Sequence, residues 1–155
     1  MINNIRIGNG LDIHKISKQK TKQKLGGVEF DLDYKVIAFS DGDIVLHSIS
    51  SAILGALSLR DLGSYYSDND QKNKGIDSQI ILSNVLKFME EKLYEISNID
   101  ITIVCEYIYF ANIKDKILEN LVNLLKTNNI SIKATRYEEE KNMIEAHTTL
   151  LLIKK

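Results

Sequence analysis

Hydrophobic spacing in this chain switches repeatedly between a period of two and a period near 3.6. A fold that contains both a sheet and helices accommodates both periods. Ile5, Ile7, Leu11 and Ile13 alternate with Arg6, Gly8, Gly10, Asp12 and His14, which predicts a strand. The lysine-rich stretch KISKQKTKQK (15–24) reads as a solvated hairpin tip, and LGGVEFDL (25–32) as the returning strand. A helix is expected after Ser40, capped by that serine with Asp43 three residues on, and running to about Leu59. A turn-rich loop (60–77) leads to a second helix over about 78–95, with Ile81, Val85, Phe88, Met89 and Leu93 on one face. The β-branched run IDITIVCEYIY (99–109) predicts a strand, and a third helix is expected over about 112–127. ISIKATRY (130–137) and AHTTLLLIK (146–154) predict two more strands, separated by a charged turn at 138–142. This order predicts an α/β sandwich in the α+β sense, a mixed β-sheet with about three helices packed on one face.

The 155 residues suit a single domain, 1–155, with a real core. A net charge of −1 provides no global field for nucleic acid or a membrane surface. The one cysteine, Cys105, excludes an intramolecular disulfide and fits a reducing compartment. No apolar run approaches the roughly 20 residues needed to span a bilayer. MINNIRIG has no signal-peptide pattern. The expectation is a cytoplasmic protein, or an organellar one if a transit peptide has been removed.

Asp12 and His14 stand two apart on the first strand, so their side chains leave the same face. A carboxylate and an imidazole on one face suit a divalent metal, although polar pairs also occupy the wet faces of strands. On a helical wheel Val45, Ile49, Ala52, Ile53 and Ala56 form one stripe. His47 falls on the other side, near Ser40, Asp43, Ser50 and Ser51. It is therefore either a ligand or a solvated histidine. Asp12, His14 and His47 together would make a three-ligand site with one open position, if the fold brings them together. Asp61, Asp68 and Asp70 occupy the long loop as functional groups or as turn-formers.

Four segments in order, RIGNGLDIH (6–14), FSDGDIVLH (39–47), ALSLRDLGSYYSDND (56–70) and KGIDS (74–78), resemble the 2-C-methyl-D-erythritol 2,4-cyclodiphosphate synthase family. ITIVCE, SIKAT and LLLIK align more loosely. The resemblance implies a homotrimer with active sites at subunit interfaces. It implies zinc held by Asp12, His14 and His47, and a second cation, magnesium or manganese, held with the substrate diphosphate. The implied reaction is intramolecular: the 2-phosphate of a cytidine-diphosphate substrate attacks the β-phosphorus and CMP leaves. Asp61 and Gly63 match positions that hold the erythritol hydroxyls, Asp68 and Asp70 match the loop that folds over substrate, and Ser40 matches a serine beside the phosphates. Cys105 and Glu106 fall in the cytosine-binding stretch, and Thr135 and Glu138 match a catalytic T-T-x-E motif.

Some family positions are substituted. Phe39 stands where the family has a histidine, and Arg136 replaces the second threonine of T-T-x-E. Arg136 could supply positive charge to phosphate in their place, because guanidinium matches phosphate geometry. Ser67 replaces a proline, Tyr109 a lysine of the cytosine stretch, and EEEKNM a longer glycine- and arginine-bearing loop. His147 matches no family ligand and is read as a packing or trimer-axis residue. Two further readings fit these departures. One is a catalytically degenerate paralogue that keeps a metal-, ligand- or partner-binding role. The other is a related phosphoryl-transfer enzyme with an altered substrate. An association with the preceding cytidylyltransferase is left open.

Overall fold

The computed structural model describes residues 4–155, so the first three residues of MINNIRIG lie outside the described part. The elements run β1 (Ile5–Leu25), β2 (Val28–Ile37), α1 (Ile44–Ala56), α2 (Ser78–Glu91), β3 (Tyr94–Cys105), α3 (Lys114–Leu125), β4 (Ile130–Thr135) and β5 (Met143–Lys154). The five strands form one mixed sheet in the order β2-β1-β5-β3-β4. Only the β3–β4 pair is parallel. The expected mixed sheet with three helices is what forms.

Register assigns each residue to a face. Gly8, Gly10, Asp12 and His14 pair with Leu150, Thr148, Ala146 and Ile144 on β5. Those four pair in turn with Ile99, Ile101, Ile103 and Cys105 on β3. These rows face the helices, and the β5 and β3 members are buried. On β1 it is therefore the small and polar positions that turn inward. Ile7 and Leu11, 71% and 48% exposed, stand on the other face with Ile5 and Ile13. An antiparallel sheet commonly leaves one face to solvent, but that face is usually polar.

Helix α1 lies between the sheet and α2, and it is buried nearly all round. Ile44, Leu46, Ile49, Ile53 and Leu54 are each at most 1% exposed, and full burial of such side chains contributes about 1.5–3 kcal/mol apiece. The expected single stripe is corrected here: Leu46, Ser50 and Leu54 are buried as well, because α2 covers the second face.

Several boundaries also differ from the sequence expectation. The strand expected over 99–109 begins at Tyr94 and ends at Cys105, so residues 106–109 leave the sheet. The lysine-rich stretch is the interior of β1 and not a hairpin tip; the chain turns at Gly26 and Gly27, both at positive φ. Ile16, Gln23 and Leu25 anchor that strand on the inside. Helix α1 begins at Ile44 with Asp43, not Ser40, as its N-cap, and ends at Ala56. Helix α2 stops at Glu91, because Leu93 takes a left-handed conformation, φ 61°, and faces solvent while β3 has begun by Tyr94.

Candidate metal centre and adjoining cavity

Gly8 and Gly10 determine how closely α1 approaches β1. A Cβ on Gly10 would stand 1.9 Å from the Ser48 carbonyl oxygen, and one on Gly8 would stand 1.9 Å from that of Ala52. The helix therefore rests on bare strand backbone. Ser48 bonds Thr148 of β5 through their hydroxyls at 2.7 Å, with both side chains buried. This approach carries His47 to within 3.7 Å of Asp12, measured from Nδ1 to Oδ2.

The turn before α1 fixes its angle. Asp43 is fully buried and accepts backbone N–H bonds from Leu46 at 3.1 Å, Gly26 at 2.9 Å and Gly27 at 2.6 Å. One carboxylate thus caps the helix and clamps the hairpin turn. Burial pushes its pKa up to about 6, against the pull of those three donors. Gln23 reaches the same turn, donating to the carbonyls of Asp41 at 3.0 Å and Gly42 at 3.3 Å. Its own carbonyl oxygen accepts from Val36 N–H at 3.1 Å.

Ligand atoms of Asp12, His14 and His47 all lie within 4.8 Å of one another. Asp12 Oδ2, His14 Nε2 and His47 Nε2 are buried without a hydrogen-bond partner. His14 Nε2 approaches Asp12 Oδ1 to 3.2 Å, yet the alignment leaves that nitrogen unbonded. An unsatisfied buried polar atom costs about 1–3 kcal/mol. His47 turns Nδ1, not the unbonded Nε2, toward Asp12; a cation would satisfy Asp12 Oδ2 and His14 Nε2, and a two-imidazole, one-carboxylate set suits a divalent metal. His14 Nδ1 lies 3.1 Å from the Ile37 carbonyl oxygen. Donation from Nδ1 leaves the Nε2 lone pair pointing into the centre.

The two histidines titrate in opposite directions. The Asp12 carboxylate beside His14 raises its pKa, with burial opposing. Burial lowers that of His47, with Asp12 and Asp41 opposing. Burial thus favours neutral His47, the form that ligates. Asp68 electrostatically favours the charged form of both histidines, so the long loop reaches this centre.

The remaining sequence-predicted residues divide into two groups. Ser40 accepts from Gly42 N–H at 3.2 Å within the turn. Asp61 caps a short 3-10 turn that includes Gly63, and the Ser64 hydroxyl and N–H hold its carboxyl below the usual range. Asp70 caps a second such turn at 71–73. Cys105, Glu106, Thr135 and Arg136 line a cavity of about 350 Å³ with Tyr107 and Tyr109. Glu138 does not line it; it borders a shallower hollow with Glu106 and Tyr107. The cavity shares no residue with the metal trio. It opens at the same end of the sheet, because Cys105 and His14 both pair with Ile144. Two strand spacings make that separation about 10 Å.

Burial pushes the Cys105 thiol pKa up, which makes it a poor nucleophile. Tyr107 stacks on Tyr34 at 4.8 Å and donates to Glu140 at 2.6 Å. His147 does not pack inside the chain; it pairs with Glu145 at 2.8 Å on the open sheet face. The sequence reading did not single out Asp41, Gln23, Ser78 or Tyr107. For Asp41 and Ser78 the signal was present, since they lie within FSDGDIVLH (39–47) and KGIDS (74–78).

Comparison with known proteins bears on this geometry. The YgbB family model matches residues 5–153. A 2-C-methyl-D-erythritol 2,4-cyclodiphosphate synthase from Mycoplasmoides gallisepticum is 42% identical over 150 residues, spanning 96% of this chain and 97% of that protein. The structure of IspF from Plasmodium falciparum in a CDP complex matches with a TM-score of 0.85 at 34% identity, over 99% of this chain and 98% of that one. The bifunctional IspDF from Campylobacter jejuni matches with a TM-score of 0.89 at 29% identity, over 97% of this chain but 42% of that one.

Proposed function

The chain belongs to the YgbB family, and on that premise we propose that it converts 4-diphosphocytidyl-2-C-methyl-D-erythritol 2-phosphate to the cyclic diphosphate, releasing CMP. It is an enzyme of the cyclising, phosphorus–oxygen lyase type, in non-mevalonate isoprenoid biosynthesis. An oxygen of the 2-phosphate bonds the β-phosphorus, and the bond from that phosphorus to the bridging oxygen of CMP breaks. The observation that carries the reading is the convergence of ligand atoms of Asp12, His14 and His47 within 4.8 Å of one another, with Asp12 Oδ2 and His14 Nε2 buried and unbonded there.

Asp12, His14 and His47 would hold a zinc ion. A metal held there would supply charge to orient the diphosphate and polarise the attacked phosphorus. No protein nucleophile is required, and the raised thiol of Cys105 is consistent with none being used there. Arg136 and Thr135 line the cavity and stand ready for the phosphates. Arg136 offers there the fixed charge that Phe39 cannot. Glu138, at the family's catalytic glutamate position, borders the neighbouring hollow, and a second cation, magnesium or manganese, accompanies the diphosphate. Cys105 and Glu106 form the wall for cytosine, and a Glu carboxylate can accept from the cytosine amino group. Asp61 and Gly63 hold the diol, Asp68 and Asp70 belong to the loop that folds over the substrate, and Ser40 stands beside the phosphates.

The unit is one domain that works as a homotrimer. The open sheet face supports this assembly, since Ile5, Ile7, Leu11 and Ile13 lie side by side along β1 and are exposed in the single chain. Separation of the cavity from the metal trio fits active sites completed between copies. Part of a bifunctional protein matches this chain, which supports association with the cytidylyltransferase. No helix among the described residues is long and apolar enough to cross a membrane. With a free buried cysteine, this supports a cytoplasmic location.

The test is CMP release and phosphorus NMR of the product with metal-loaded protein, with His47→Ala as control. Cyclic diphosphate formed by the parent and not by His47→Ala supports the assignment. Failure of the parent, folded and metal-loaded, would return the chain to the reading of a paralogue that has lost this catalysis.

A further inference from the structure

The segment KGIDS (74–78) has no role in the site as described so far, yet it is bonded to the turn that aims His47. Gly75 N–H donates to the Phe39 carbonyl at 2.8 Å, and Asp41 N–H donates to the Ile76 carbonyl at 3.1 Å. The two segments therefore run as a short backbone ladder. Asp41 completes the join. One of its oxygens, Oδ2, accepts from Ser78 N–H at 3.0 Å; the other, Oδ1, accepts both the Ser78 hydroxyl and Asp43 N–H, the latter at 3.1 Å. Ser78 is fully buried, and it opens α2. Lys24 closes the cluster, 2.7 Å from Asp77 and 4.0 Å from Asp41.

This arrangement connects two parts of the site that are remote in sequence. On one side the Asp41–Asp43 bond leads into the N-cap of α1 and so to His47. On the other side lies the end of loop 60–77, which carries Asp61, Asp68 and Asp70. The same loop is pinned to α2 elsewhere by Tyr66, whose hydroxyl accepts from Asn84 at 2.8 Å, and by Tyr65 packed against Phe88. Those anchors do not touch the turn at 40–43.

We propose that Asp41 and Ser78 are positioning residues that hold the substrate loop and the metal histidine as one unit, so that loosening their bond weakens metal binding and frees the loop together. The proposal rests on the metal reading of Asp12, His14 and His47. Neither residue needs to touch metal or substrate.

The experiment measures zinc affinity by chelator competition and amide exchange over 40–43 and 60–77, without turnover. Ser78→Ala removes the hydroxyl and keeps every charge; zinc affinity is expected to fall about tenfold, the scale of losing an outer support. Both segments are expected to exchange faster. Asp41→Glu, which keeps the charge but misplaces the oxygens, is expected to do the same, so the proposal survives one variant folding poorly. Asn84→Ala frees the Tyr66 anchor alone and is expected to speed loop exchange with zinc affinity intact. Faster loop exchange in Ser78→Ala with unchanged zinc affinity would overturn the coupling, as would an equal zinc loss in Asn84→Ala. A parent chain that binds no zinc would sink the metal reading itself, and the proposal with it.

Discussion

Replacing Gly10 with alanine should separate folding from metal binding. The new methyl group would begin 1.9 Å from the Ser48 carbonyl oxygen, and real Cβ contacts essentially never fall below 3.0 Å. Helix α1 must therefore retreat by about 1.1 Å at the residue next to His47. Metal–ligand distances tolerate only about 0.2 Å, so the histidine leaves the coordination sphere of Asp12 and His14. Overpacking of this size costs about 1–3 kcal/mol, which a domain of this length can survive. Zinc affinity should fall by about 100-fold, the upper end of what misplaced support costs. Gly55→Ala is the control within the same helix. Its Cβ would meet nothing nearer than the Asn9 carbonyl oxygen at 3.7 Å. That variant should keep zinc binding and gain about 0.5–1 kcal/mol from helix propensity. The assay is competition against a coloured chelator, with urea unfolding of the same samples. Gly10→Ala with unchanged zinc affinity would refute the claim that bare strand backbone sets the position of His47.

Other expectations follow from the same geometry. The raised pKa of Asp43 means the folded state holds its proton more tightly than the unfolded state, so its contribution to stability is greatest at low pH and declines as pH rises from about 4 to about 6. The stability deficit of Asp43→Asn should therefore be smaller at pH 7 than at pH 4, measured by denaturant unfolding; a larger deficit at pH 7 would contradict this. Ile7→Lys should convert a trimer to monomers in sedimentation while leaving the circular dichroism of the chain intact. Unchanged assembly would remove the open sheet face from the interface. Tyr109, 63% exposed at the cavity, offers a surface for base stacking. Its change to alanine should raise KM by about tenfold with little effect on kcat. Arg136→Ala should instead lower kcat, and unimpaired turnover would end its assignment to the phosphates.

The candidate ligands Asp12, His14 and His47 were legible because two periods fixed them: spacing of two placed Asp12 with His14, and spacing near 3.6 set His47 apart from the Val45–Ile49–Ala56 stripe. Their meeting was not legible, since it depends on Gly8 and Gly10 admitting α1 to the strand, a distance no spacing encodes. The two-sided burial of α1 was hidden for a similar reason. Ser50 read as part of a polar side, yet Ser50, like Ser48, satisfies its hydroxyl on a carbonyl of its own helix and sits in the core. Within the lysine-rich stretch only Ile16 is an apolar mark of an inner face, and the other buried residue there is the polar Gln23, so a strand interior resembled a tip. The cap was misassigned because Ser40 and Asp43 both suit it; the choice fell to Asp43 through Gly26 and Gly27, 16 or more residues away in sequence.

The most direct test of the central claim is zinc-dependent turnover by metal-stripped protein. CMP release should be absent without metal and rise with added zinc in the presence of magnesium. The rise should saturate at one zinc per chain and be missing in His14→Ala. Full turnover after stripping, or an equal response in His14→Ala, would contradict the claim, because the converging atoms of Asp12, His14 and His47 would then serve no metal the reaction needs.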